Sequence, residues 1–193
     1  MSNLSAAMNK NTNVTKLLNR LVETKAETIK LGMDQHADDV VVAVQLDGAV
    51  PERAQRMTTA ELLTVVRGLL AAGRKVYACY EAGPCGYGLY RALVAAGATS
   101  YVVVPEALGG GRKQKTDRLD AGALADRLDR YVRGNTKAFT VVPVPTPEQE
   151  QAREEGRLRH QLKGSRHQWE ARGRSLLLCQ GHHVTGTWWT ERR

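Results

Sequence analysis

Aromatic residues are scarce in this chain of 193 residues, which has three Trp, six Tyr and a single Phe. An aromatic core is therefore excluded, and a core must come from the aliphatic side chains within the 42% hydrophobic fraction. The three cysteines, Cys79, Cys85 and Cys179, form no CxxC pair, and their odd number suits a reducing compartment, so we expect the cytoplasm. No run approaches the ~20 apolar residues of a membrane helix, and no membrane partner is expected.

Basic residues are in excess, with 28 Lys and Arg against 20 Asp and Glu. They are spread unevenly: residues 109–135 carry seven basic and four acidic side chains, whereas residues 31–108 carry six basic and eight acidic ones. A positive excess is common in soluble proteins that bind no particular polyanion. The alternation of acidic and basic segments also fits a nucleic acid held over a metal site.

Hydrophobic periodicity predicts the secondary structure of the first three quarters of the chain. We expect one short helix within 14–25, strands at 28–34, 38–46 and 49–55, a helix at 58–72, a strand at 75–80, a helix at 87–96, a strand at 99–104 and a helix at 116–132. This order predicts an α/β protein with a ribonuclease-H-like (RuvC-like) mixed sheet and helices on its faces.

The rest of the chain predicts a different kind of structure. Residues 139–144 could add a strand, three prolines between 143 and 147 mark a hinge, and 148–178 reads as one long charged helix with few apolar positions. We therefore expect an N-terminal extension (1–28), a RuvC-like domain (29–145), a coiled-coil-like helical arm (146–180) and the start of a further domain (181–193).

Four carboxylates occupy positions typical of a metal site. Asp34 and Glu81 end predicted strands, and Asp117 and Asp120 open the helix that follows the glycine run. Strand ends converge at one edge of a sheet, and carboxylate oxygens are the ligands of hard divalent ions. Asp117 and Asp120 share a helix face with Leu124, Leu128 and Tyr131, the face expected to pack on the sheet, whereas Arg118, Gly122 and Asp129 are expected to face away.

Each acid also has a simpler interpretation. Asp117 could cap the helix, and Asp120 could be a first-turn acid that the helix dipole stabilises. Asp34 could lie in a turn, and Glu81 could be a surface charge at the end of a strand. The joint arrangement of all four favours the metal site over these separate explanations.

The segments Leu-Gly-Met-Asp34, Tyr-Glu81-Ala-Gly-Pro and Lys115-Thr-Asp117-Arg-Leu-Asp120-Ala resemble the DEDD tetrad of the IS-one-ten family of transposases, the RNA-guided bridge recombinases. The resemblance covers residues 28–180. It implies a RuvC-like domain that holds Mg²⁺, or Mn²⁺, through Asp34, Glu81, Asp117 and Asp120. It also implies DNA and a structured guide RNA as partners, a homo-oligomer joined through the arm, and a serine nucleophile in a separate C-terminal domain. The serine has no counterpart here, so this chain is expected to be an incomplete enzyme.

Other motifs carry less information. Residues 109–116 nearly spell a P-loop, but Gln114 replaces a required glycine, so we expect Arg112, Lys113, Lys115 and Arg118 to contact a nucleic-acid backbone instead. Cys85 lacks a histidine base, His160, His167, His182 and His183 lack zinc spacing, and Trp188 and Trp189 fit a core better than a base-stacking site.

Three functions stay open on these grounds. The first is a magnesium-dependent strand-transfer domain of a transposase. The second is a stand-alone RuvC-like junction resolvase or nuclease that uses water. The third is a non-catalytic RNA-binding and dimerisation module in which the acids hold a structural ion.

Overall fold

The computed structural model of the protein describes residues 2–105 and 117–187, with side chains for 13–105 and 120–187. The elements in chain order are α1 (Ser2–Glu23), β1 (Thr28–Gln35), β2 (Val40–Leu46), β3 (Gln55–Met57), α2 (Thr59–Ala71), β4 (Lys75–Glu81), α3 (Gly88–Ala95), β5 (Thr99–Val103), α4 (Asp117–Val132) and α5 (Pro147–Cys179).

The five strands form one sheet in the order β3-β2-β1-β4-β5. β1, β2 and β3 pair in antiparallel fashion, while β4 and β5 run parallel to β1. An antiparallel meander followed by two parallel strands reached through helical crossovers is the ribonuclease-H-like arrangement, and the predicted fold class is confirmed by this topology.

Three predicted elements differ in extent. The N-terminal helix spans 22 residues rather than one short stretch. The third strand begins at Gln55 and not near residue 49, because only Gln55–Met57 pairs with β2. The segment 139–144 forms no full strand: it contributes one antiparallel bridge between Val141 and Val103 at the outer edge of β5.

One face of the sheet is covered by α1, α2 and α3. Its core is mainly aliphatic and includes Leu21 of α1, Val66 of α2 and Leu93 of α3, none of which is accessible to solvent, but Tyr80 of β4 is also fully buried in it. Because α1 contributes to this core, the predicted N-terminal extension packs as an integral helix of the fold.

The other face is covered by α4, which packs across β1, β2 and β4. Its buried apolar residues are Ala121, Leu124, Ala125 and Leu128, so the predicted sheet-facing stripe is confirmed at Leu124 and Leu128. Gly32 of β1 makes the approach possible, because a Cβ atom there would clash with the backbone of Ala121 and Ala125.

The chain divides into two compact units, Met1–Val144 and Pro145–Arg193. The second unit consists mainly of α5, a single helix of 33 residues. It begins with a capping box in which the Thr146 hydroxyl accepts from the Gln149 amide and the Gln149 side chain accepts from the Thr146 amide, with Pro147 as its first residue. None of its residues is buried. Across the described ranges, no helix is long and apolar enough to cross a bilayer.

Candidate active site

Asp34 and Glu81 lie at the same edge of the sheet, at the carboxyl ends of neighbouring parallel strands. Met33 of β1 pairs with Tyr80 of β4, and each of the two acids is the next residue along its strand. Glu81 also pairs with Val103 of β5, so it is held between two neighbouring strands. Both side chains are half-buried. The sheet edge therefore brings together two of the four predicted site residues.

Both acids face the side of the sheet that α4 covers. Alternation along β1 puts Asp34 on the same face as Gly32, which contacts the α4 backbone. The cross-strand partner of Asp34 is Val41, which packs in one cluster with Ala121 and Ala125 of α4. On β4, Glu81 shares the face of Cys79, whose thiol donates to the Leu124 carbonyl of α4 at 3.5 Å.

Asp120 reaches this face from α4, in the first turn of the helix. It directly precedes Ala121, which packs over Gly32, and its side chain is half-buried. Asp117 is the first residue of α4, and its side chain lies outside the described part of the molecule. Among the described side chains, no three His, Cys, Asp or Glu residues come close enough together to hold a metal ion. The four-acid metal site thus stays a prediction.

A histidine that the sequence did not single out lies beside the first acid. His36 follows β1 in the turn to β2, and its Nε2 atom is 3.5 Å from Oδ2 of Asp34. About a third of each side chain is exposed, 36% for His36 and 33% for Asp34. The pair forms because the β1–β2 turn brings residue 36 back toward the strand end, where its backbone amide donates to the Asp39 carbonyl. In the sequence, the only indication of this contact was that residues 34 and 36 are two positions apart.

A buried ion pair fixes α4 on β1 and corrects one prediction. Asp129 was expected to face away from the sheet, but it is buried and accepts a salt bridge from Lys30 of β1 at 2.8 Å. Arg133 also contacts Asp129 at 3.0 Å and donates to the Asp47 carbonyl. Asp129 lies at the edge of the side of α4 that faces the sheet, where the side chain of Lys30 on β1 can reach it. Removing Asp129 would leave the buried Lys30 charge without its ion-pair partner, and removing Lys30 would leave the buried Asp129 with the more exposed Arg133, so the pair sets the position of α4 along β1.

Among the residues that the structure describes, neither cysteine of this unit has a basic partner that would make it a nucleophile. The pKa of the Cys79 thiol is raised to about 12, mainly by burial, while the charge of Arg127 opposes the rise and that of Glu81 contributes to it. Such a thiol stays protonated and serves as packing. Cys85, in the loop after Glu81, lies 3.9 Å from the Gln35 carbonyl and is partly accessible.

The residues that were predicted to contact nucleic acid lie outside the part of the chain whose side chains the structure describes. Arg112, Lys113 and Lys115 lie outside the described residues, as do Trp188 and Trp189, and Arg118 belongs to α4 without a described side chain. Their proximity to the acids therefore follows from the sequence alone: all four basic residues lie within eight positions of Asp120.

No model of a protein family matches the chain. In sequence it is similar to two Sinorhizobium fredii proteins, "Putative transposase y4rJ" (36% identity over 52% of this chain) and "Putative transposase y4qE" (38% identity over 46%). It is also similar to the transposase for insertion sequence element IS1533 of Leptospira borgpetersenii, at 26% identity over 70% of the chain. The matches span 26%, 22% and 39% of these relatives, so the chain covers well under half of their length.

Among solved structures, the catalytic core domain of BIV integrase aligns with 58% of this chain and 73% of its own, at 14% identity and a TM-score of 0.26. The fold assignment therefore relies on the strand order described above and not on this alignment. The sequence relatives, all named as transposases, support a link between this chain and the transposases.

Proposed function

We propose that this chain is the carboxylate-bearing part of a DNA transposase or recombinase, which binds a divalent metal and acts with a guide RNA in the cleavage and exchange of DNA strands. One observation carries the proposal: Asp34 and Glu81 occupy adjacent ends of two parallel strands, on the face where α4 places Asp120. The transposase names of its relatives support the same function.

The donor set fits a hard divalent ion. All four proposed ligands, Asp34, Glu81, Asp117 and Asp120, are carboxylates, and Mg²⁺ and Mn²⁺ prefer oxygen ligands. Two acids on a sheet face under a packed helix carry a desolvation cost that a cation would offset. When bound, the metal would neutralise charge on a scissile phosphate and polarise the attacking oxygen.

The chain's own residues would hold the reacting phosphodiester in place. Asp34 and Glu81 are anchored by paired strands and Asp120 by a helix with a fixed position, so the three carboxylates sit on rigid elements. His36, at 3.5 Å from Asp34, would orient that carboxylate. Arg112, Lys113, Lys115 and Arg118 would contact the phosphates beside the acids and keep the polyanion over them.

The finer parts of the proposal come from the family resemblance. A structured guide RNA would pair with both DNA partners, the serine nucleophile would come from a separate domain, and copies of the chain would assemble through α5. The basic side chains along α5 support contact with a nucleic-acid backbone, because seven of the twelve charged residues in Pro147–Cys179 are Lys or Arg.

Metal binding can be tested by thermal unfolding with and without Mg²⁺ or Mn²⁺. We expect the wild-type melting temperature to rise by about 3–6 °C when the metal is tenfold above its dissociation constant. The shift should be lost in Asp34→Asn, Glu81→Gln, Asp117→Asn and Asp120→Asn, which keep the side-chain shape. Removing a charge can raise the metal-free melting temperature by relieving repulsion, so the metal-dependent shift is the readout.

Asp38→Asn is the matched control, because Asp38 is an exposed acid in the same β1–β2 turn. It should keep the full metal-dependent shift. A shift that persists in all four site variants would overturn the metal site. Binding of duplex DNA, followed by fluorescence anisotropy, should weaken steeply with salt, and an affinity unchanged between low and high salt would overturn the contact with phosphates.

A further inference from the structure

Four of the five large exposed apolar residues of α5 form a single line along the helix, and Leu178 lies on the opposite side. Leu158, Leu162, Trp169 and Leu176 are each more than half exposed, at 56%, 61%, 68% and 71%. At 100° per residue they fall within an arc of about 40°, and we call these four residues the apolar seam. A line of exposed apolar residues on an otherwise charged helix marks a surface that a partner covers.

The seam follows a seven-residue repeat that also contains charged residues. Positions 155, 162, 169 and 176 form one row of the repeat, and positions 151, 158, 165 and 172 form the other. Glu155 therefore occupies a seam position near the start of the helix, and Arg172 occupies one near its end. Both are exposed, so a partner that covers the seam must also match one negative and one positive charge.

We propose that α5 pairs with α5 of a second copy in an antiparallel orientation and in one register. In that register Leu158 lies opposite Trp169 of the partner subunit, and Glu155 lies opposite Arg172 of the partner subunit. The inference rests on the assembly part of the proposed function, and adds the orientation and the register. The paired segment runs from residue 151 to 176, about 39 Å of helix.

Charge matching selects this orientation over a parallel one. A parallel pair in register would place Glu155 against Glu155 and Arg172 against Arg172 of the partner subunit, two like-charged contacts inside the seam. The antiparallel pair converts both into opposite-charge contacts, which occur twice by symmetry. It also places bulky Leu158 and Trp169 together and sets Leu162 against the small Ser165 of the partner subunit.

Neighbouring antiparallel registers match the seam less well. A shift of seven residues in one direction puts Leu158 opposite Leu176, but leaves Arg172 facing Leu162 of the partner subunit. A shift in the other direction leaves Leu176 without any partner residue of the helix and sets Glu155 against Ser165. Only the proposed register covers all four apolar residues and pairs both charges.

The side chains concerned are free to turn toward a partner. The Arg172 guanidinium lies over the Trp169 ring, 5.1 Å from its centroid, and Glu155 accepts from Gln151 at 3.0 Å, both on the helix surface. The register also brings Arg159 near Arg166 of the partner subunit. That contact lies at the solvent-exposed rim, where water and salt screen the repulsion.

Charge exchange tests the pairing in the full chain by sedimentation over a range of concentrations. We expect Glu155→Arg and Arg172→Glu each to weaken association by about tenfold or more, and the double variant to return to within about threefold of wild type. Arg153→Glu, a charge reversal on the opposite side of the helix, should leave association unchanged. A parallel pair would keep like-charged contacts in every variant, so neither single reversal would weaken association by tenfold, and this outcome would overturn the proposal.

Spin labels on Cys179 measure the register directly. In a Cys85→Ser variant the buried Cys79 does not react, so the label attaches to the exposed Cys179. The proposed register separates the two labelled positions by about 45 Å, the next antiparallel register by about 36 Å, and a parallel pair by under about 20 Å. A distance distribution centred on either of the last two values would overturn the register.

A wild-type chain that stays monomeric at high concentration would also overturn the pairing and would assign the seam to another occupant. That result is distinguishable from a failure of the proposed function. The metal-dependent thermal shift depends on Asp34 and Glu81 in the first unit, and it would persist in a monomer.

Discussion

α4 and α5 are both charged helices, yet they make opposite use of their apolar residues. In α4 the residues Ala121, Leu124, Ala125 and Leu128 are nearly inaccessible against the sheet, whereas α5 has no buried residue at all. The difference lies in the size of the contact residues and in what they face. Small residues on α4, with Gly32 opposite, let two backbones approach closely, while α5 presents large side chains at wide spacing.

Two helices that are both rich in charged residues can therefore have different roles: α4 packs on the sheet beside the candidate site, whereas no side of α5 is buried. α4 is held by packing, by a thiol contact and by a buried ion pair, so the helix that carries Asp120 in its first turn has a fixed position on the sheet. The ion pairs of α5, such as Arg157 with Glu154, join residues within one helix. Each of these contacts of α4 can be removed by a substitution, and α5 offers a corresponding substitution as a control.

The largest expected effect concerns the ion pair between Lys30 and Asp129. Lys30→Met should lower the free energy of unfolding by about 3 kcal/mol or more, because the buried Asp129 loses its buried cation and keeps, among the described residues, the largely exposed Arg133 as its ion-pair partner. The double variant Lys30→Met/Asp129→Leu should recover much of that loss, since no buried charge remains. Urea unfolding followed by circular dichroism measures both.

The matching change on α5 is Glu154→Ala, which removes the exposed pair with Arg157. It should cost less than about 0.5 kcal/mol, as is typical for solvent-exposed pairs. A loss for Lys30→Met no larger than this would show that the pair does not hold α4 in place.

A smaller effect is expected at the glycine beneath α4. Gly32→Ala should destabilise the protein by about 2–3 kcal/mol, because the new Cβ would meet the backbone of Ala121 and Ala125 and push the helix outward. The same variant should weaken metal binding more than its loss of stability explains, since Asp120 moves with the helix.

Gly156→Ala is the control on α5, where a Cβ would meet nothing within 4 Å. It should stabilise that helix by roughly 0.5–1 kcal/mol through its higher helix propensity. Equal effects of the two substitutions would contradict the close approach of α4 to β1.

The sequence predicted the position of most elements because their signals are local. The Thr58 cap and Gly73 bound α2, and Pro105 follows β5, so the helix and the strand agree with prediction to within one residue. The adjacency of Asp34 and Glu81 was also predictable, because parallel strand ends meet at one sheet edge.

The remaining features depend on contacts between distant residues. Asp129 was misplaced because its partner Lys30 lies 99 positions earlier, and helical periodicity cannot identify a strand residue that neutralises a charge. The third strand was placed too early because its position depends on pairing with Val40–Val42, whereas Val50 is exposed. The length of α1 was missed because residues 2–13 are rich in Ser and Asn, which have lower helix propensity than Ala or Leu.

The last and smallest effect contrasts the cysteines that lie against α4 and at the end of α5. Cys79 is fully buried against Leu124, and burial raises the pKa of its thiol to about 12. In the unfolded chain a thiol titrates near pH 8.5, so above that pH the unfolded state releases a proton that the folded state keeps. Stability should therefore fall as pH rises from about 9 toward 12, by at most about 1.4 kcal/mol per pH unit from this group. Burial likewise raises the pKa of Tyr101, which adds its own loss, so the measurement compares the wild type with Cys79→Ala.

The variant should lose stability with pH less steeply than the wild type, as determined by urea unfolding at several values between pH 8 and 11. Replacing Cys179, which is exposed at the end of α5, should leave the slope unchanged, because solvent reaches that thiol in both states. Alkylation provides an independent check: iodoacetamide should modify Cys179 in the folded protein and Cys79 only after unfolding. Identical pH slopes for wild type and Cys79→Ala, together with rapid alkylation of Cys79 in the folded state, would mean that α4 opens readily. That result would contradict the tight packing of α4 on the sheet and, with it, the fixed position of Asp120.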